Sequence, residues 1–278
     1  MLLCTDLDRT VLPNGAQPES PGARPLFRKL ARRPEVTLVY VSGRDRGLLR
    51  QAIKQFDIPE PDYAIGDVGT TIYDARGHDW TEWHDWRDAI AADWNGLAHD
   101  EIAGILDTVR ALRMQEREKQ NAFKISYYVD PGVVRDQLCA EVREKLLRYG
   151  VLASLIWSVD ETVKLALMDV LPQSANKLHA VQFLMDRLDT SSDQVLFAGD
   201  SGNDLPVLTS GLQSVLVRNA DEAVRAEAVR ESELAGTRHA LYLARGGFMD
   251  MNGNYAAGVL EGAAEFFPQV SEWLRAHP

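Results

Sequence analysis

Asp6 and Asp8, in Asp6-Leu7-Asp8-Arg9-Thr10, are the first residues of the chain whose types and spacing could do covalent chemistry. In an extended backbone, residues i and i+2 point to the same side, so the two carboxylates can address one site. One carboxylate can attack phosphorus as a nucleophile while the other carries the proton. An Asp-rich turn whose side chains satisfy local backbone donors fits these five residues equally well, and the rest of the chain has to separate the two readings. Three further groups do so: Ser42-Gly43-Arg44, Lys177, and Gly199-Asp200-Ser201-Gly202-Asn203-Asp204. Alone, each has a plain reading. Ser42 suits a helix N-cap, Lys177 a solvated helix face, and the acidic run a turn or a calcium loop without its closing glutamate. Four such groups in order, each beside a suitable element, argue for one site.

The elements that would position them follow from patterning. Leu2-Leu3-Cys4 reads as a short buried strand running into Asp6. Val36 to Val41 and Val195 to Ala198 are continuous apolar and β-branched runs, the mark of strands buried on both faces. They end at Ser42 and at Gly199-Asp200. Helical segments over Leu26 to Arg33 and Leu48 to Phe56, and a strand at Tyr63 to Ile65, complete a strand–helix alternation that predicts an α/β domain with a parallel sheet. In such sheets ligands bind outside the carboxyl ends of the strands. Ser174 is placed to cap a helix carrying Leu178, Val181, Leu184, Met185 and Leu188. Lys177 then lies in the first turn, where a cation is unfavourable unless an anion is near. Val215 to Val217 and Ala240 to Leu243 supply further strands.

Between these halves the character changes. Trp80, Trp83, Trp86 and Trp94 crowd one stretch, read as core packing of a new unit; the histidines there lack metal-ligand spacing. A helix over Asp100 to Leu112, an alternating strand over Phe123 to Pro131, a helix over Val133 to Tyr149, and strands around Trp157 and from Val163 to Met168 describe an α+β insert. The expected division is therefore 1–77 with 171–278, and an insert over 78–170.

Together these groups specify a reaction. Asp6, Asp8, Asp200 and Asp204 at one sheet edge would repel one another, by roughly 4 kcal/mol per pair near 4 Å at an effective dielectric of 20. Hard oxygen ligands favour Mg²⁺ as the compensating cation. Asp6 is expected to attack phosphorus and form an aspartyl-phosphate. Asp8 would protonate the leaving alcohol and then deprotonate the hydrolytic water. Ser42, the Gly43 amide and Lys177 would bind the transferring oxygens. The formal charge of −11 over 278 residues argues against nucleic acid or an anionic membrane surface as partner. Two cysteines form no framework, no apolar run approaches the ~20 residues of a membrane span, and no targeting core precedes Asp6, so the chain reads as cytoplasmic.

With these motifs in hand, the sequence resembles the haloacid dehalogenase (HAD) superfamily of aspartyl-phosphate hydrolases, and its insert resembles the type 2 cap of the Cof branch. Within that branch it is most similar to sucrose-phosphate phosphatases. The carrying stretches are Val68 to Ile72, Phe123 to Asp130, Asp169 to Pro172 and Ala256 to Gly262. The resemblance implies a Rossmann-like core, a mobile cap of the C2B kind that sets substrate specificity, and Mg²⁺-dependent phosphatase activity. It implies Asp6, Asp8 (through its backbone carbonyl), Asp200 and Asp204 around the metal. Thr10, Ser42, Gly43 and Lys177 fall on the phosphate, with Arg44, Lys124 and Asn203 toward the substrate. Two positions depart from the family: Arg9, where many relatives carry a smaller or uncharged residue, and Thr71, where sucrose phosphatases commonly show glutamate. The expected substrate is a phosphorylated sugar, a disaccharide phosphate such as sucrose 6-phosphate. A mannosylfructose-phosphate, glucosylglycerol-phosphate or mannosyl-3-phosphoglycerate phosphatase, a sugar phosphomutase, and a non-catalytic sugar-phosphate-binding partner of a glycosyltransferase of the same pathway remain as alternatives.

Overall fold

A computed structural model describes residues 1–160 and 165–276. Leu2–Thr5 forms β1, buried along its whole length, so it can only lie inside a sheet. It is followed by α1 (Ala23–Ala31), β2 (Thr37–Val41), α2 (Arg46–Phe56) and β3 (Tyr63–Gly66). Both helices are amphipathic: α1 buries Ala23, Phe27 and Leu30, and α2 buries Leu49, Ala52 and Ile53. The Asp45 carboxylate accepts the Leu48 amide at 2.9 Å. Asp45 is therefore the N-cap of α2, and Ser42 stays outside the helix. β4 (Thr71–Asp74) turns back antiparallel on β3, and β5 (Thr81–Glu82) pairs with β4. Trp80, expected in the insert, is instead buried in the core of this sheet, with its ring 6.1 Å from that of Tyr73.

The middle of the chain carries α3 (His84–Ala91), α4 (His99–Leu106), β6 (Leu112–Met114), β7 (Ile125–Val129), α5 (Arg135–Leu147), β8 (Ala153–Asp160) and β9 (Leu165–Pro172). Its four strands form an antiparallel sheet in the order β6-β7-β9-β8. Trp94, Ile102, Leu106, Ile125, Leu138 and Met168 belong to a core of its own. The helix expected to reach Leu112 stops at Leu106, because the short, exposed edge strand β6 claims Leu112. The strand expected from Val163 is described from Leu165 onward; Val163 itself lies outside the described residues.

The α/β pattern then resumes with α6 (Lys177–Arg187), β10 (Val195–Gly199), α7 (Leu205–Leu208), β11 (Ser214–Leu216), α8 (Glu222–Leu234), β12 (Leu241–Leu243), α9 (Ala256–Phe266) and α10 (Gln269–Arg275). Ser174 does not cap α6, which begins three residues later; its amide donates to the Asp93 carboxylate at 2.6 Å. The large sheet runs β12-β11-β10-β1-β2-β3-β4-β5, parallel from β12 to β3. Helix α9 lies against it at Gly262, where a Cβ would come within 2.4 Å of Val215. The Glu261 carboxylate accepts the Tyr242 hydroxyl at 2.9 Å and the Arg245 and Gly246 amides at 2.8 Å. Compactness divides the chain into residues 1–82 with those from Lys177 onward, and residues 83–176. Among the described residues no helix is long and apolar enough to cross a membrane.

Candidate active site

Strand register sets the site. β1 pairs in parallel with β10 on one side and β2 on the other, with Thr5 opposite both Ala198 and Tyr40. The chain therefore leaves the sheet at Asp6, Ser42 and Asp200 along one carboxyl edge, and the Asp6 amide donates to the Ala198 carbonyl at 2.9 Å. A cleft of about 470 Å³ lined by Leu2, Thr37, Asp62, Arg76 and Thr190 includes the opposite, amino ends of β1 and β2, away from these carboxylates.

Asp6, Asp200 and Asp204 are all buried, and each places one carboxylate oxygen within 4.8 Å of the others. Lys177, 2% exposed at the start of α6, donates to Asp6 Oδ1 at 3.0 Å and to Asp204 Oδ1 at 2.7 Å, with a longer 3.5 Å contact to Asn203 Oδ1. The anions implied by a lysine in a first helical turn are thus these carboxylates. Asp204 Oδ2 accepts the Asp200 and Ser201 amides at 3.1 Å and the Ser201 hydroxyl at 3.0 Å, which folds the 199–204 turn around one carboxylate. Gly199 is required there, since a Cβ would lie 2.6 Å from Asp204 Cγ. The buried Thr10 hydroxyl is 3.3 Å from Asp200 Oδ1 and 3.5 Å from Asp6 Oδ2.

Burial and like charge shape the protonation of this cluster. Burial pushes the Asp6 carboxyl up to about 7; Lys177 opposes the rise, and Asp204 and Asp200 add to it. Asp200 is pushed up to about 6 by burial and by Asp204, against Arg9 and Lys177. Burial favours a neutral Lys177, but Asp204 and Asp6 outweigh it and hold the ammonium charged. Three buried carboxylates offering only hard oxygen atoms are the donor set a small divalent cation needs.

Asp8 stands apart from this triad. Its Oδ1 accepts Arg44 Nη2 at 2.6 Å and Asn14 Nδ2 at 2.7 Å, and its Oδ2 accepts Arg44 Nε at 2.7 Å. Burial would raise its carboxyl, but the Arg44 fork and Asn14 take it below the ordinary range. Ser42 is buried and its hydroxyl accepts the Arg44 amide at 3.2 Å. Gly43 is exposed, and its amide has no hydrogen-bond partner among the described residues. Lys124 belongs to residues 83–176, in a tight turn with Asn121 just ahead of β7 rather than on the strand.

Sequence reasoning missed two supports of this site. Asn14, read only as part of a turn, bridges the Arg9 amide at 2.8 Å and the Asp8 carboxylate. Asp67 and Val68 stand in the left-handed region at φ 49° and 63°, and their amides donate to the carbonyls of Arg44 and Ser42 at 2.9 and 3.2 Å. That turn holds the backbone on either side of Gly43. A β-branched residue at positive φ carries no sequence signal.

The sequence model of the sucrose-6F-phosphate phosphohydrolase family matches residues 1–267. A protein of Nitrosococcus oceani assigned to the HAD-like hydrolases is 52% identical over 274 residues, 99% of this chain and 74% of that protein. A glucosylglycerol-phosphate synthase of Pseudomonas anguilliseptica is 28% identical over 98% of this chain, which spans 33% of the synthase. Among solved structures, the sucrose-phosphatase of Synechocystis sp. in complex with sucrose and phosphate superposes with a TM-score of 0.74 at 29% identity, covering 96% of this chain and 97% of that one. With the triad at the sheet edge and a family match over nearly its whole length, the chain is a HAD-like hydrolase that belongs to the sucrose-6F-phosphate phosphohydrolase family.

Proposed function

We propose that the protein is a Mg²⁺-dependent phosphatase that hydrolyses a phosphorylated sugar, a disaccharide phosphate such as sucrose 6-phosphate, through an aspartyl-phosphate. The observation that carries this reading is the buried triad Asp6, Asp200 and Asp204, with Lys177 bridging Asp6 and Asp204, at the sheet edge where the strands ending at Asp6, Ser42 and Asp200 converge. Asp6 attacks phosphorus as the bond to the sugar oxygen breaks, and Asp8 gives that oxygen its proton. Asp8 then takes a proton from water, which attacks the aspartyl-phosphate, frees inorganic phosphate and restores Asp6. Ser42, Gly43, Thr10 and Lys177 hold the phosphoryl oxygens, while Arg44, Asn203 and Lys124 address the sugar. Asp6 and Asp200, with the Asp8 backbone carbonyl, would hold Mg²⁺, and Asp204 would bind or orient it. When bound there, Mg²⁺ supplies neutralisation of charge between the Asp6 carboxylate and the phosphate. Residues 83–176 serve as the cap that selects the sugar.

The substrate class is supported by the family and by a relative crystallised with sucrose and phosphate. Phosphate release should be measured over sucrose 6-phosphate, mannosylfructose phosphate, glucosylglycerol phosphate and simple hexose phosphates, with Mg²⁺ and with excess EDTA. The expected outcome is a sharp preference for one disaccharide phosphate, lost in EDTA and abolished by Asp6→Asn without loss of fold. Rearranged sugar phosphate without free phosphate would indicate a mutase, and binding without turnover a non-catalytic partner. Turnover by Asp6→Asn would remove Asp6 from the mechanism.

A further inference from the structure

Arg9 directly follows Asp8 in the first motif and its side chain reaches Asp200, yet the chemistry above leaves it without a task. Its backbone is left-handed, with φ 58°, a conformation that residues with a side chain rarely adopt without compensation. The compensation is specific. Asn14 Oδ1 accepts the Arg9 amide at 2.8 Å, and Asn219 Nδ2 donates to the Arg9 carbonyl at 2.6 Å. Held this way, the guanidinium brings Nε to 3.3 Å from Asp200 Oδ2, and Nη2 to 3.1 Å from Asp221 Oδ1 and 3.3 Å from the Asn219 carbonyl.

Arg9 Nε is buried and has no aligned hydrogen-bond acceptor, so what it offers Asp200 is charge rather than a directed bond. Orientation of Asp200 is fixed by other groups. The Thr10 hydroxyl lies 3.3 Å from its Oδ1, its amide is held by Asp204 Oδ2 at 3.1 Å, and β10 ends at the residue before it. Around the triad, three carboxylates face two cations, Lys177 and Arg9. That balance is one formal negative charge. A divalent cation reverses it to one positive charge, suited to a phosphate dianion. Without Arg9 the same site would be doubly negative before metal and neutral after it.

We propose that Arg9 sets the charge of the metal–phosphate site through Asp200, weakening its hold on Mg²⁺ and strengthening its hold on phosphate. This rests on the phosphatase reading above. Arg9 is a positioning residue for charge, without contact to the reacting atoms. Its mark is a pair of affinity changes of opposite sign, which loss of a structural brace cannot produce.

The test is calorimetric titration of the whole protein with Mg²⁺ alone, then with inorganic phosphate at saturating Mg²⁺, for the wild type, Arg9→Gln, Arg9→Gly and Arg9→Lys. In the Gln and Gly variants Mg²⁺ should bind roughly three- to tenfold tighter and phosphate weaker by a similar factor, the size expected of a partly screened charge near the site. Arg9→Lys should lie close to the wild type. Glycine suits φ 58°, so that variant carries the test if the glutamine variant does not fold. Weakening of both ligands together, or movement of neither, would overturn the role of Arg9 and leave the phosphatase reading intact. A wild type that bound neither Mg²⁺ nor phosphate would overturn that reading and this inference with it.

Discussion

Asp6 and Asp8 are two residues apart, yet their surroundings drive their carboxyls in opposite directions, up to about 7 for Asp6 and below the ordinary range for Asp8. The cause is local. Asp6 shares its buried cation with Asp204, whereas Asp8 has the Arg44 fork to itself and is partly open to water. The proposed division of labour needs a proton on Asp8 at the moment the alcohol leaves, and Arg44 opposes that proton. Neutralising Arg44 removes the two strongest influences holding the Asp8 carboxyl down, so its titration moves to higher pH. On that proposal the carboxyl would act in its protonated form in the first half-reaction, and activity that depends on this form falls as pH rises through its pKa. Arg44→Gln should therefore shift the alkaline limb of the pH profile of kcat/KM to higher pH, whatever it does to the height of the profile. An unmoved limb would mean that Asp8 does not donate the proton in the step that limits kcat/KM.

At the scale of elements, the site depends on how tightly the turn after β10 can close. At Gly199 a Cβ would meet Asp204 Cβ, Cγ and Oδ2 at 2.6 to 2.7 Å, whereas at Gly202, three residues on, it would meet nothing within 4 Å. Gly199→Ala should displace the carboxylate that organises the turn. The expected cost is about 1–3 kcal/mol, as for overpacking elsewhere, together with loss of calorimetric Mg²⁺ binding. Gly202→Ala should change neither thermal unfolding nor binding, and equal effects at the two positions would place the constraint outside the Asp204 carboxylate. This turn was legible in the sequence, and so were the parallel strands that end at Asp6, Ser42 and Asp200. Strands buried on both faces read as unbroken apolar runs, and the acidic and glycine-rich groups follow them directly. What stayed hidden has equally physical reasons. β5 and β6 are two and three residues long on sheet edges, too short and too exposed to show a period. Trp80 reads with its tryptophan neighbours but packs with Tyr73, because β5 carries the chain back along the large sheet. The left-handed turn at Asp67 and Val68 is imposed by carbonyls of Arg44 and Ser42 more than twenty positions away in the chain, which no local preference can announce.

Over the whole molecule, charge and chemistry are distributed unequally. A net charge of −11 repels a phosphate dianion at long range, an effect screened over about 8 Å at physiological ionic strength. On the proposed reading, capture would come from the nearby cations Lys177, Arg44 and Arg9, together with Mg²⁺. Of the residues given a role above, all but Lys124 lie in residues 1–82 or from Lys177 onward, and Lys124 lies in residues 83–176. Each unit also has an apolar core of its own. If the chemistry belongs to the first unit and the choice of sugar to the second, the two should separate experimentally. A chain with residues 83–176 replaced by a short Gly/Ser linker should keep the circular dichroism of an α/β fold and bind Mg²⁺. It should also hydrolyse p-nitrophenyl phosphate, a small ester with no sugar to recognise, in a manner abolished by Asp6→Asn. Its rates over the sugar phosphate panel should be flat, with the preference of the full chain gone. A folded linker variant that kept the preference would put the specificity in the Asp6 unit. One that bound Mg²⁺ but released no phosphate from the small ester would show that residues 83–176 contribute to the chemical step itself.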